Sequence, residues 1–264
     1  MNTPLRDAVR AEWTKLRTLP STGWLLLGMV AATVIISATV SASLGCTSTA
    51  GCHVDVTKLS LTGTYLGQAI VAVLAVLAVS GEYGTGMIRT TLAAMPRRTT
   101  VLAAKAAVVT AVTLAAGIPA VLGSVLAGRL ILPGHGYTPA HGYPALSLGN
   151  GPVLRAAVGT VLYLGLIALL SLGIAAAVRD AAVAIGAVLG LLYLFPILAQ
   201  VASAGAQRHL QQIGPMTAGL EIQASAGLRS LPISPWAGLG VLAPGPPPRS
   251  WPAACCCASA TLNP

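Results

Sequence analysis

The sequence predicts an all-α polytopic membrane protein with about six transmembrane helices. Of its 264 residues, 55% are hydrophobic and only 8% are charged, whereas soluble proteins average about 25% charged residues. Its apolar runs are long enough for crossings of about 20 residues each, and polar breaks separate them. The net charge of +9 comes from basic residues scattered beside these runs. Such a distribution indicates contact with lipid headgroups and not with nucleic acid.

Residues 1–20 predict an amphipathic helix that lies on the inner leaflet of the membrane. Leu5, Val9, Trp13 and Leu16 recur at helical spacing, and basic side chains occupy the other faces. This pattern is typical of an interfacial helix. A solvated, charged start that only sets the topology is the alternative interpretation.

Residues 21–242 predict the transmembrane domain. Five complete crossings are predicted at Trp24–Leu44, Leu61–Val79, Val101–Leu126, Val153–Val178 and Ala181–Val201. Lys105 stands near enough to the cytoplasmic end of the third crossing to snorkel to the membrane surface, and Pro196 is expected to kink the fifth. A short re-entrant or interfacial helix is expected within 206–231, and a sixth crossing should start near Ser234.

Four polar side chains interrupt the apolar crossings. Thr33, Ser37 and Ser41 follow one another at every fourth position of the first crossing, and Gln68 lies well inside the second. Small polar residues in membrane helices usually mediate packing between helices. The alternative is that these four side chains line a substrate path that is not wholly apolar.

The predicted outer loop after the first crossing contains Cys46 and Cys52. If the amino terminus lies inside, this loop faces the oxidising side, where a disulfide between the two cysteines can form. Two free thiols are the alternative. His53 and Asp55 stand beside Cys52, but a zinc site needs four ligands at defined spacing. The sequence therefore predicts no metal site.

The stretch from Ser80 to Thr100 must leave the hydrocarbon of the bilayer. Between two apolar runs it holds a carboxylate, three arginines, three glycines and a proline, which lipid cannot satisfy. Its arginines place it on the cytoplasmic side. A short amphipathic helix is predicted over about Thr85–Ala94, and it offers a surface for a soluble partner. The alternative role for the arginines is to set topology alone.

This stretch resembles the first cytoplasmic loop of ABC-2-type transporter permeases, the membrane subunits of ATP-driven exporters. The resemblance rests on the pattern Glu82-Tyr83-x-x-Gly86-x-Ile88-Arg89 followed by Pro96-Arg97-Arg98. The segment Glu12-Trp13-x-Lys15-Leu16-Arg17 also resembles the amino-terminal helix of the same family, which packs beside that loop.

The resemblance implies that the loop carries a coupling helix that docks on a separate ATP-binding subunit. Glu82 and Arg89 would hold the loop geometry, and Arg97 and Arg98 would face the partner or the lipid. It also implies a second permease chain, as a homodimer or a heterodimer. The chain has no G-x-x-x-x-G-K-[ST] phosphate loop. We therefore expect no enzymatic activity and no cofactor in this chain, with ATP and Mg²⁺ held by the partner.

Two other functions are less well matched by the sequence. An ion- or proton-coupled secondary transporter needs ionisable residues near the membrane midplane, and a membrane-embedded enzyme needs converging acid, base or metal residues. The charged residues instead gather at the predicted ends of the crossings.

We expect the cell membrane as the location, with both termini inside, because nine basic residues fall on the inner side and five on the outer side. The nine are Arg6, Arg10, Lys15, Arg17, Arg89, Arg97, Arg98, Lys105 and Arg179, and the five are Lys58, Arg129, Arg155, Arg208 and Arg229.

Residues 243–264 do not fit the rest of the chain. Five prolines follow Leu242 within ten residues, and a helix cannot run through them, so the sixth crossing should stop after one or two turns. Cys255, Cys256 and Cys257 are typical of a palmitoylation or metal tract. We favour a frameshift near Ala243, because the shifted reading of this tail can encode an alanine- and leucine-rich helix with a basic end.

Overall fold

All regular structure that the chain forms within the described residues is helical. The computed structural model describes residues 3–18, 20–46, 54–84, 98–138, 143, 145–228 and 231–242, and no strand occurs among them. The predicted all-α class is confirmed. The helices are α1 (Thr3–Thr18), α2 (Pro20–Ser43), α3 (Val56–Ser60), α4 (Thr64–Gly84), α5 (Arg98–Ile131), α6 (Gly151–Val178), α7 (Ala181–Val201), α8 (Ala204–Ile213), α9 (Pro215–Leu220) and α10 (Pro235–Gly240).

Five of these helices, α2, α4, α5, α6 and α7, are long and apolar enough to cross a membrane. They match the five predicted complete crossings, and α7 begins and ends at the predicted residues. Where the sixth crossing was predicted to start, the structure has α10. Its six residues extend over only about 9 Å at 1.5 Å per residue, which is too short to cross a membrane. Residues 243–264 lie outside the described residues, so the frameshift stays a prediction.

The crossing helices alternate in direction and thereby define two faces of the molecule. The amino-terminal face carries α1, the ends of α4 and α5 that flank residues 85–97, and the turn between α6 and α7. That turn is short: Arg179 adopts a left-handed conformation with φ of 63°, and the Asp180 carboxylate accepts a 2.8 Å hydrogen bond from the Val183 amide at the start of α7. The distal face carries α3, α8 and α9.

Helix α4 lies at the centre of the bundle, in contact with α2, α6 and α7. Its side chains Val71, Ala75 and Val76 are buried together with Leu164 and Ile167 of α6. Close approach to α2 depends on glycine, because a Cβ atom at Gly63 or Gly67 would overlap with Thr33. Small residues at helix contacts are typical of membrane bundles, in which packing takes the place of the hydrophobic effect.

The distal face has a small core of its own, which the sequence did not predict. Helix α5 runs five residues past its predicted end and continues into a 3-10 turn, Leu132–His135. Gly128 of α5 packs against the Ser60 side chain of α3, and the Cys46 amide donates to the His135 carbonyl at 2.9 Å. The loop after α2 is thereby attached to the end of α5.

The expected short helix within 206–231 is present as a more elaborate structure. Helices α8 and α9 are followed by a 3-10 turn, Glu221–Gln223. This segment inserts into the bundle: Ile222 is fully buried and touches α6 at Gly159, while Gly219 packs on the Tyr163 ring. A side chain at either glycine would overlap with its neighbour, so the segment is fitted closely against α6.

Candidate functional site

The structure describes both ends of the predicted coupling loop. Glu82 and Tyr83 belong to the last turn of α4, and Arg98 is the first residue of α5. Gly86, Ile88, Arg89, Pro96 and Arg97, together with the predicted helix at about 85–94, lie outside the described residues. The roles assigned to these eight residues therefore stay predictions.

Helix α1 docks on the first turns of α5, directly after that loop. Among the residues of α1 whose side chains the structure describes, Ala8 and Glu12 are buried, one helical turn apart, and Leu16 packs against the main core. Trp13 is 49% exposed. Of the apolar face that the sequence predicted, Leu16 therefore contacts protein, whereas Trp13 is open to the surroundings.

A buried ion pair joins the two helices. The Lys105 ammonium lies 2.6 Å from one carboxylate oxygen of Glu12, and the two side chains are only 7% and 5% exposed. Lys15 reaches the other oxygen of the same carboxylate at 3.0 Å. The expectation that Lys105 snorkels to the membrane surface is wrong, because α1 covers this part of α5 and supplies a carboxylate there.

Glu12 is the shared acceptor at this junction. Its carboxylate contacts Lys105 through one oxygen and Lys15 through the other. A buried ion pair is tolerated only when its geometry and further hydrogen bonds offset the loss of solvation. The junction lies seven residues after Arg98, the first described residue beyond the predicted coupling loop.

The predicted polar stripe of α2 is buried between helices of this chain. Thr33, Ser37 and Ser41 are fully buried. Ser37 accepts a 3.0 Å hydrogen bond from the Gly63 amide, and the Thr33 hydroxyl donates to the Met29 carbonyl at 2.7 Å. The Ser41 hydroxyl has no hydrogen-bond partner among the described residues. A role of this stripe in a substrate path stays a prediction.

Gln68 connects α4 to α6. It is fully buried, and its side-chain oxygen accepts a hydrogen bond from the Tyr163 hydroxyl. A second tyrosine, Tyr193 of α7, donates to the Tyr65 carbonyl of α4. The amide nitrogen of Gln68 has no partner within the described part of the chain. The structure thus gives Gln68 a packing contact, while the predicted contact with substrate is untested.

A hydrogen-bond hub on the distal face was missed by sequence reasoning. The Asp55 carboxylate caps α3, accepting from the amides of Thr57 at 3.0 Å and Lys58 at 3.3 Å. It also accepts from the Ser225 hydroxyl at 2.6 Å and the Ala226 amide at 2.8 Å. Asp55 therefore ties α3 to the chain after α9. An aspartate directly before a helix start is a capping signal. This signal could have predicted α3, but not the contact of Asp55 with Ser225 and Ala226.

Of the two cysteines in the loop after α2, the structure describes Cys46. Cys46 is disulfide-bonded, and its partner lies outside the described residues, as does Cys52. The pairing of Cys46 with Cys52 stays a prediction. Within the described ranges, no three His, Cys, Asp or Glu side chains gather as metal ligands would.

Comparisons with protein-family models, with curated proteins and with solved structures found no match to this chain.

Proposed function

We propose that this chain is the membrane subunit of an ABC-2-type exporter in the cell membrane, with its amino terminus in the cytoplasm. A separate ATP-binding subunit holds ATP and Mg²⁺ and hydrolyses the nucleotide. Two permease chains and two ATP-binding subunits form the transporter. The proposal rests on the sequence resemblance at residues 12–17 and 82–98 and on the arrangement of the helices that carry these segments.

The observation that best supports the proposal is the junction between α1 and α5. Residues 12–17 and the two described ends of the loop, at Glu82 and Arg98, stand on the amino-terminal face, and the Glu12–Lys105 pair holds α1 against α5 at 2.6 Å. Lys105 comes seven residues after Arg98, about two helical turns beyond the predicted loop. A soluble subunit that presses on this loop would therefore also act on α1.

The proposed mechanism is a push on the two helices that flank the loop. When the ATP-binding subunits close on nucleotide, they displace residues 85–97 of each permease chain. Helix α4 lies at the centre of the bundle and α5 extends over 34 residues, about 50 Å at 1.5 Å per residue. These helices are long enough to carry the displacement to the distal face, where the pathway opens between the two chains.

Charge reversal in the loop tests the docking surface. We expect the double variant R97E/R98E to weaken association with the ATP-binding subunit by about tenfold or more, because charges at an interface steer and select the partner. The full chain is expressed with an affinity tag in its native host, and the amount of ATP-binding-cassette protein that co-purifies is measured. R129E is the matched control, since Arg129 is exposed on the distal face.

The topology of each variant is measured in the same experiment by labelling single cysteines introduced on the two faces. Retained co-purification together with an inverted chain would contradict the docking role and would assign Arg97 and Arg98 to topology alone.

A further inference from the structure

A small pocket on the distal face combines an ion pair with an apolar floor. It has a volume of about 110 Å³ and lies between the start of α4, the end of α7, and α8 and α9. Lys58, Glu221, Tyr65 and Gln211 supply polar atoms, and Pro196 and Met216 supply apolar surface. None of these residues belongs to the coupling site described above.

The ion pair at this pocket has long contacts and one accessible end. The Lys58 ammonium lies 3.3 Å and 3.4 Å from the two Glu221 oxygens, whereas strong charge-assisted hydrogen bonds measure about 2.7–2.9 Å. The Lys58 side chain is 36% exposed, so this end of the pair can be reached from outside, and Glu221 is 16% exposed. A ligand that brings one group of each sign can replace the contact between them.

The surroundings of the pocket suit a lipid. Beside Pro196, the last two turns of α7 expose Leu194, Ile197, Leu198 and Val201. These apolar side chains stand at the end of a membrane-crossing helix, where headgroups meet hydrocarbon. Tyr65 at the pocket is typical of residues at this depth. An acyl chain can therefore lie along α7 while a polar headgroup occupies the pocket.

We propose that the pocket binds a phosphoethanolamine headgroup, supplied by a phospholipid of the leaflet at the distal face. The phosphate accepts hydrogen bonds from Lys58, and the primary ammonium donates to Glu221. The two charges of this headgroup are separated by two carbon atoms, so it can bridge the Lys58 and Glu221 side chains. The proposal requires only that the chain lies in a membrane, and it stands or fails independently of the exporter function.

Binding is measured by native mass spectrometry of the full-length protein, purified without lipid in detergent and titrated with one lipid at a time. The probes are dioleoyl-phosphatidylethanolamine, dioleoyl-phosphatidylcholine and dioleoyl-phosphatidylglycerol. We expect phosphatidylethanolamine to bind about tenfold more tightly than the other two, because only its headgroup has an ammonium that donates to a carboxylate. Equal binding of the three lipids to the unaltered protein would overturn the proposal, without any variant being needed.

Variants of Glu221 and Lys58 separate the roles of the two charges. E221Q should bind phosphatidylethanolamine and phosphatidylcholine equally, because the carboxylate that receives the ammonium is gone. K58Q should bind phosphatidylethanolamine about tenfold more weakly, whereas K58R retains a cation and should bind it well. R129Q removes an exposed charge elsewhere on the same face and is the matched control. Loss of binding in R129Q equal to that in K58Q would contradict the assignment.

A titration with the free, water-soluble headgroup compound identifies the source of the headgroup. Free O-phosphoethanolamine is titrated into the same detergent-solubilised protein by isothermal calorimetry. Weak or undetectable binding of the free compound beside tight binding of the lipid supports a lipid site. Tight binding of the free compound without binding of the lipid would overturn the lipid source.

Discussion

Neutralising Glu12 should destabilise the molecule, because its buried carboxylate contacts both Lys105 and Lys15. Breaking a buried pair by removing one partner costs about 3–5 kcal/mol in other proteins. We expect E12Q to lower the free energy of unfolding by about 3 kcal/mol, measured by SDS titration of the protein in detergent micelles. D7N is the control, since Asp7 is an exposed acid of the same helix. Equal, small effects of the two changes would contradict the buried pair.

Asp55 should control how tightly the chain after α9 is held. We expect D55A to speed hydrogen exchange at the Ser225 and Ala226 amides by about tenfold or more, since both amides lose a charged acceptor. The measurement is exchange detected by mass spectrometry in detergent. D180A removes another capping aspartate, on the amino-terminal face, and should leave exchange at these two amides unchanged. Unchanged exchange in D55A would contradict the hydrogen bonds from these two amides to Asp55.

At the scale of residues, helical spacing in the sequence was sufficient to predict which side chains of one helix share a face. The polar stripe on α2 was identified because Thr33, Ser37 and Ser41 repeat every fourth residue, and all three are buried. The pairing of Lys105 with Glu12 could not be predicted, because the two residues are 93 positions apart and only the docking of α1 brings them together. The same reason hid the contact between Asp55 and Ser225.

At the scale of elements, the contact between α2 and the turn that precedes α4 depends on a glycine. A Cβ atom at Gly63 would overlap with the Thr33 carbonyl oxygen of α2, and backbone cannot move aside as a side chain can. We expect G63A to lower the free energy of unfolding by about 1–3 kcal/mol, the usual cost of overpacking. In G28A, the added methyl group meets open space, and the change should be neutral or slightly stabilising. The same SDS titration measures both variants, and equal results would contradict the α2–α4 contact.

The elements that the sequence predicted well are those with long apolar runs. Helix α7 has the predicted bounds, since Asp180 caps its start and its long apolar run stops at Val201, before small residues and Ser203. Helix α3 was missed because five residues are too few to show a hydrophobic period. The extra length of α5 was missed because its distal end packs on protein, where membrane thickness no longer limits a helix.

At the scale of the whole molecule, different contacts hold the two faces together. The amino-terminal face has the α1–α5 junction and both ends of the loop at 85–97, whereas the distal face is tied together by Asp55 and by the insertion of α9 and Ile222. Composition and periodicity were sufficient to predict the helical class and five of the crossings. The packing of α8 to α10 could not be predicted, because it depends on contacts with glycines in distant helices.

The most direct test of the account is the ATPase activity of the complex that this chain forms. The full chain is expressed with an affinity tag in its native host, purified together with the proteins that bind it, and reconstituted in lipid nanodiscs. The account predicts an equimolar complex whose Mg²⁺-dependent ATP hydrolysis is inhibited by vanadate and is lost from the R97E/R98E preparation as the partner dissociates. A chain that purifies without any ATP-binding-cassette subunit under these conditions would contradict the proposed function.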